Sequence, residues 1–237
     1  MTSKLTGKHD NSWARAVFYR LYKFIIRDMD SVFEEGRELQ VTVSSGSTNH
    51  EMKLQNLLLV GMEKTRDIRQ SLVKVRQIYN RSTVDQQFSI GELMLPFFCS
   101  KEMSDKGSHF AAENELALAL KSCLNCHNKF FLSKTAKRRQ AVVGMTCVGS
   151  IVTGYVMRKK AVENEESVYV MQPVDSFNLI VYEDLMRLAK FLASTRAFGE
   201  ELAQDARTRF KSLTSKSSDK TEERVSGKVK AGSPVDE

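Results

Sequence analysis

The chain has 237 residues, enough for one large or two small domains, and its 41% hydrophobic and 27% charged residues are typical of a folded soluble protein. Four cysteines are too few for a disulfide-rich scaffold, and because the start of the chain is polar we expect no secretory signal. The net charge of +7 favours an anionic partner, such as nucleic acid or an acidic membrane surface. We therefore expect an intracellular protein of the cytoplasm or nucleus, with reduced thiols.

Apolar residues of the first hundred positions recur at helical spacing, and only three prolines and twelve glycines interrupt the chain. We therefore predict an all-α fold, a multi-helix bundle with long helices. Residues 1–11 form a flexible N-terminus, and residues 12–100 form an N-terminal helical part. Its first helix starts after a Ser12 cap, a second long helix carries Leu54 to Tyr79, and a third ends before Pro96.

The second predicted part, residues 108–213, is helical with a basic midsection. Ser108 caps a helix that continues to Phe131, and a basic hinge follows it. After a short piece at 168–170 that could be extended, the last long helix starts at an Asp175-Ser176 cap. Residues 214–237 lack an apolar stripe, so we predict a disordered tail.

The most apolar run, residues 141–157, leaves two interpretations open. Basic residues flank this run of 17 residues on both sides, as they often flank a membrane span. A spanning helix needs about 20 apolar residues, and three glycines lower the hydrophobicity of this run further. The sequence therefore favours a buried central helix over a membrane-inserted one.

The same region contains an uncompensated cluster of cations. Between Glu115 and Glu163 the sequence has no acidic residue but nine lysines and arginines, more than the net charge of the whole chain. A long segment with charge of one sign attracts phosphate groups of RNA or of lipid headgroups. The cations that we predict to bind RNA or lipid are Lys134, Lys137, Arg138, Arg139, Arg158, Lys159 and Lys160.

A second candidate site is a possible zinc site formed by Cys123, Cys126 and His127. On a helix these spacings place all three on one side, and thiolates and imidazole are good zinc ligands. The spelling CxxCH also matches a haem attachment site, which would need an oxidising compartment. Because a structural zinc site needs a fourth ligand at suitable spacing, the sequence favours buried free thiols and no cofactor, with zinc as the alternative.

Signatures of catalysis are absent from the sequence. It contains no Gly-rich phosphate loop, no HExxH and no GxSxG. Cys126 and His127 are adjacent, but adjacent residues of a helix point in different directions and do not form a dyad. We therefore expect a protein that is not an enzyme.

Two segments resemble the middle of orthomyxovirus matrix proteins: residues 119–123 (ALKSC) and, after the hinge, residues 142–147 (VVGMTC). Residues 185–209 are similar in pattern to the Ala-rich C-terminal helices of that family. The family's paired Cys followed by paired His is absent after Cys147, so the resemblance implies no metal ligand here. It implies a layer protein that lies under a viral envelope, self-associates, and links anionic membrane to ribonucleoprotein.

We therefore expect a non-enzymatic basic structural or adaptor protein of the viral matrix type. It would bind RNA or ribonucleoprotein and the surface of anionic membranes, form homo-oligomers, and enter the virion if viral. The alternative is a zinc-stabilised RNA-binding regulatory protein, of the silencing-suppressor or host-response-antagonist type.

Overall fold

A computed structural model describes residues 12–23, 25, 33–36, 39–45, 48–54, 57–63, 70, 89–90, 93–103, 108–130, 141–160 and 168–228. Within these residues the elements, in chain order, are α1 (Ser12–Tyr22), β1 (Phe33–Gly36), β2 (Leu39–Ser45), β3 (Thr48–Leu54), β4 (Leu57–Glu63), β5 (Ser89–Ile90), β6 (Leu93–Met103), α2 (His109–Phe130), β7 (Ala141–Val148), β8 (Ile151–Lys160), β9 (Val168–Asn178) and α3 (Tyr182–Lys228).

Seven strands form one mixed sheet in the order β1–β4–β6–β7–β8–β9, with the short β5 paired to β6, while β2 and β3 form a separate hairpin. Neighbouring strands of the main sheet are antiparallel, except that β6 and β7 are parallel. Because α2 lies between β6 and β7 in the chain, these three elements form a βαβ crossover. The carboxyl ends of β6 and β7 therefore lie at the same end of the sheet as the start of α2.

Two buried apolar clusters cover the two faces of the sheet. On one face, Leu116, Leu120 and Cys123 of α2 pack with residues such as Val142 and Met157. On the other face, side chains of α1 and α3 pack with the sheet; they include Phe18, Tyr22, Leu188, Leu192, Leu202, Ala206 and Phe210. The sheet is thus a middle layer between helices, an arrangement in which its central strands are removed from water on both faces.

The all-α prediction is wrong, because the described residues form a mixed sheet with three helices. Strands buried on both faces have continuous apolar runs instead of the alternation that marks a half-exposed strand. In β4, for example, Leu57, Leu58, Leu59 and Val60 are all buried. That run was assigned to a long helix because neighbouring apolar residues also match helical spacing.

The run predicted as a central helix, residues 141–157, is instead the hairpin of β7 and β8. Val148 pairs with Ile151, so Gly149 and Ser150 are the whole turn. Gly149 has a φ of 62°, which suits the first position of a type II′ turn, where glycine is favoured. The strongly apolar run is therefore two buried strands joined by a glycine turn.

The other two glycines of this run lie where helices press on the sheet. A Cβ on Gly144 would lie 2.6 Å from Cδ1 of Leu120 on α2, and a Cβ on Gly154 would lie 2.8 Å from Cζ of Phe191 on α3. The hairpin therefore needs one small residue towards each helical layer.

Several predicted helices are confirmed in part. The helix after Ser108 is α2, α1 starts at Ser12, and the extended piece at 168–170 belongs to β9. The last helix starts at Tyr182 and not at the Asp175-Ser176 cap, because these two residues are part of β9. It also continues through Lys228, past residue 214, where the predicted disordered tail starts. The predicted flexible N-terminus, residues 1–11, and residues 229–237 lie outside the described residues.

Candidate polyanion-binding surface

Three of the seven predicted site residues, Arg158, Lys159 and Lys160, are the exposed last residues of β8. Because side chains alternate along a strand, Lys159 shares the α2 face of the sheet, while Arg158 and Lys160 share the α3 face. The other four, Lys134, Lys137, Arg138 and Arg139, lie outside the described residues.

An aromatic ring connects Lys159 to a cation of α2. Lys159 Nζ lies 5.8 Å from the centroid of the Tyr169 ring, and Lys121 Nζ lies 5.4 Å from the same centroid. Tyr169 Oη donates a hydrogen bond to Asn125 Oδ1, one helical turn after Lys121. We call the exposed cations at this end of the sheet, Lys121, Arg158, Lys159 and Lys160, the basic end.

The basic end has no acidic partner among the side chains that the structure describes. Ion pairs within those residues join Lys101 to Glu115, Arg187 to Asp175 and Asp184, and Arg196 to Glu200. The residues of these ion pairs lie on β6, on the first turns of α2, on β9 and on α3. The basic end is therefore a candidate site for a bound anion.

The Tyr169 ring also orders the two lysines. A free lysine side chain loses about 2 kcal/mol of rotamer entropy when a ligand fixes it. A cation–π contact at an exposed site contributes about 0.5–1 kcal/mol and restrains the side chain before the ligand arrives. Lys121 and Lys159 therefore lose less side-chain entropy on binding a phosphate than two isolated surface lysines would.

A buried polar network fixes the position of α2 at the opposite end of the sheet. Lys101 Nζ lies 2.5 Å from Glu115 Oε2, and the Lys101 side chain is only 5% exposed. Tyr155 Oη donates a 2.5 Å hydrogen bond to Glu113 Oε1, and burial raises the pKa of Tyr155 to about 12. These contacts tie the first turns of α2 to β6 and β8, which sets where Lys121 lies about two turns later and Asn125 about three turns later.

The proposed zinc ligands all lie in the packed interior. His127 Nε2 donates a 2.8 Å hydrogen bond to the carbonyl oxygen of Pro96, and burial lowers the pKa of His127 to about 4. Burial raises the pKa of the Cys123 thiol well above its usual value, and Cys126 Sγ donates to the Ser122 carbonyl. Across the described ranges, no three His, Cys, Asp or Glu side chains are arranged to hold a metal ion.

Tyr169 and Asn125 were missed by sequence reasoning, and Lys121 was counted among the cations but was not assigned to the site. Their roles depend on β8 pairing with β9 so that Lys159 is opposite Tyr169. No local pattern in the sequence marks this pairing, because the two residues are ten positions apart in the chain.

No protein-family model matches the sequence, and no curated protein matches it either. Among the helices described here, none has an apolar stretch long enough to cross a bilayer.

Proposed function

We propose that the protein is a non-enzymatic basic structural or adaptor protein that binds the phosphate backbone of RNA through its basic end. The supporting observation is that Tyr169 holds Lys121 and Lys159 beside Arg158 and Lys160, without an acidic partner among the described side chains. Phosphate contacts by lysine and arginine supply most of the affinity of sequence-independent binding to nucleic acid.

The arrangement of the cations favours a flexible polyanion over a flat one. Lys159 lies on one face of the sheet, and Arg158 and Lys160 lie on the other, so the charges surround the end of β8. A polynucleotide can follow such a curved surface, whereas a bilayer surface contacts charges that lie in one plane. RNA backbone is therefore the better ligand for this end of the molecule.

Anisotropy of a labelled single-stranded RNA, titrated with the full chain at several salt concentrations, tests this proposal. Each lost phosphate contact lowers the slope of log K against log salt by about 0.7 for a single strand. The double variant Lys121→Gln/Lys159→Gln should therefore bind more weakly, with a slope smaller by about 1.4.

The matched control for this experiment is Lys190→Gln/Arg207→Gln, which removes the same charge from exposed positions of α3. This control should keep the slope of the unaltered protein. If both double variants weaken binding equally, net charge alone explains it and the basic end is not the site.

The matrix-type interpretation also includes self-association and peripheral membrane binding, for which the opposite end of the sheet offers a surface. Ile180 is 68% exposed in the turn that leads into α3, and Tyr182 and Met186 at the start of α3 are 70% and 47% exposed. Clustered exposed apolar side chains mark contacts with proteins or membranes. We propose that this surface supports self-association.

The variant Ile180→Ser/Tyr182→Ser tests this second part of the proposal. It should reduce the oligomer seen in sedimentation velocity while leaving RNA affinity unchanged. Flotation with vesicles of neutral and acidic phospholipid distinguishes membrane binding from self-association. If the variant no longer floats with vesicles but forms the same oligomer, the surface binds membranes.

A further inference from the structure

A cleft of about 500 Å³ lies between α3 and the sheet face beneath it. Its volume is within the range of about 300–1,000 Å³ typical of small-molecule sites. Neither the basic end nor the exposed turn at the start of α3 uses this cleft, so it belongs to neither surface described above.

The cleft exists because α3 crosses the sheet obliquely. Phe191 lies against Gly154 of β8, and two turns later Gly199 lies against Phe97 of β6. A helix that moves from β8 to β6 in eight residues leaves part of the β7–β8 face uncovered beside it. Val143 and Val156 form the floor of the cleft in that uncovered area.

The walls of the cleft are apolar towards the sheet and cationic at the rim. Phe191 and Phe198 extend from α3 beside the valine floor. At the rim, Arg187 is paired with both Asp175 and Asp184. Lys190 is exposed and has no ion pair within the described side chains, so its ammonium group can pair with an anion at the mouth.

We propose that this cleft binds one long-chain fatty acid, with its acyl chain on the valine and phenylalanine floor and its carboxylate at Lys190. An apolar floor removes the methylene groups from water, and the single unmatched cation selects an anionic head. Ser194 and Thr195 offer no free O–H donor to a ligand, because their hydroxyls already donate to carbonyls of their own helix.

Displacement of the fluorescent fatty acid cis-parinaric acid from the full chain, kept below its micelle concentration, tests the proposal. Ser194→Phe fills the cleft from an exposed position and should weaken binding by about tenfold or more. Thr208→Phe is its matched control, because Thr208 is also exposed on α3 and its hydroxyl also donates to the carbonyl four residues before. This control should bind as the unaltered protein does.

The head group is tested by Lys190→Glu with Arg207→Glu as its control, since Arg207 is an exposed cation of the same helix. Lys190→Glu should weaken the binding of the fatty acid by about threefold to tenfold and leave that of its methyl ester unchanged. Circular dichroism and the melting temperature check that each variant remains folded. Lys121→Gln/Lys159→Gln should keep the fatty-acid affinity, so failure of this proposal is distinct from failure of the RNA proposal.

Three results would overturn the assignment. The first is an absence of saturable binding of cis-parinaric acid to the unaltered protein. The second is equal loss of affinity in Ser194→Phe and Thr208→Phe, which indicates adsorption along the whole helix. The third is displacement by acidic phospholipid vesicles but not by monomeric oleate, which identifies a bilayer surface as the ligand.

Discussion

The imidazole of His127 donates a hydrogen bond to the backbone carbonyl oxygen of Pro96 across 2.8 Å, which joins the end of α2 to an irregular segment of β6. Leu95, just before Pro96, is a buried leucine with a φ of 46°, a conformation that costs a side-chain-bearing residue about 1–2 kcal/mol. Opposite this segment, a Cβ on Gly61 would lie 2.9 Å from Met94 O. The buried histidine therefore helps to hold a strained part of a central strand.

This contact predicts that the protein loses stability in mild acid. Burial lowers the pKa of His127 from its ordinary value of 6.5 to about 4. Between these values the unfolded chain binds a proton that the folded chain does not, so the free energy of unfolding falls as pH decreases from 6.5 towards 4. At pH 5 the loss relative to pH 8 should be about 2 kcal/mol, measured by urea denaturation.

The variant His127→Gln separates this effect from the titration of other groups. It keeps a donor for Pro96 O and does not titrate in this range, so its stability should change less between pH 8 and pH 5. If the free energy of unfolding of the variant falls with pH as steeply as that of the unaltered protein, other groups cause the acid sensitivity.

Local signals in the sequence predicted the helices better than the strands. Ser108 before an apolar stripe indicated α2 correctly, because capping and helical periodicity act within one segment. The turn at Gly149-Ser150 also has a hairpin signature, but the apolar residues around it show no alternation since both faces of β7 and β8 are covered. Cations at the end of β8 could be found from charge alone, whereas the contact of Lys159 with Tyr169 depends on strand pairing that the sequence does not mark.

The buried pair of Lys101 and Glu115 predicts a large effect from the loss of one partner. Glu115→Gln removes the carboxylate that pairs with a lysine side chain only 5% exposed, and this should cost about 2–3 kcal/mol of unfolding free energy. The comparable change in an exposed pair, Glu200→Gln beside Arg196, should cost less than about 0.5 kcal/mol. Urea denaturation of both variants at pH 7 checks the difference.

An apolar replacement of the whole pair gives the complementary result. Lys101→Met/Glu115→Leu removes both charges, so its stability should lie closer to that of the unaltered protein than to that of Glu115→Gln. If the double variant is less stable than Glu115→Gln, Lys101 and Glu115 stabilise the fold by more than neutralising each other's charge.

Tyr169 gives a prediction that separates its ring from its hydroxyl. Tyr169→Phe keeps the ring beside Lys121 and Lys159 and should bind RNA within about twofold of the unaltered protein. Tyr169→Leu removes the ring and should weaken binding by about fivefold, because the two lysines then lose the contact that restrains them. Tyr182→Leu, at the opposite end of the sheet, is the control that should leave RNA affinity unchanged. Equal affinity of the phenylalanine and leucine variants would exclude a role for the ring.

The contact between Gly154 and Phe191 predicts that Gly154→Ala destabilises the protein when the Phe191 ring is present and not when the ring is removed. At most strand positions, replacing glycine by alanine stabilises the protein, because alanine restricts the conformations of the unfolded chain. Here a Cβ at position 154 would lie 2.8 Å from Phe191 Cζ, so Gly154→Ala should lower the free energy of unfolding by about 1–3 kcal/mol. In a Phe191→Ala background the same substitution has no ring to displace, and it should be neutral or stabilising by up to about 1 kcal/mol. A double-mutant cycle by urea denaturation measures this coupling, and additive effects would mean that the ring moves aside without cost.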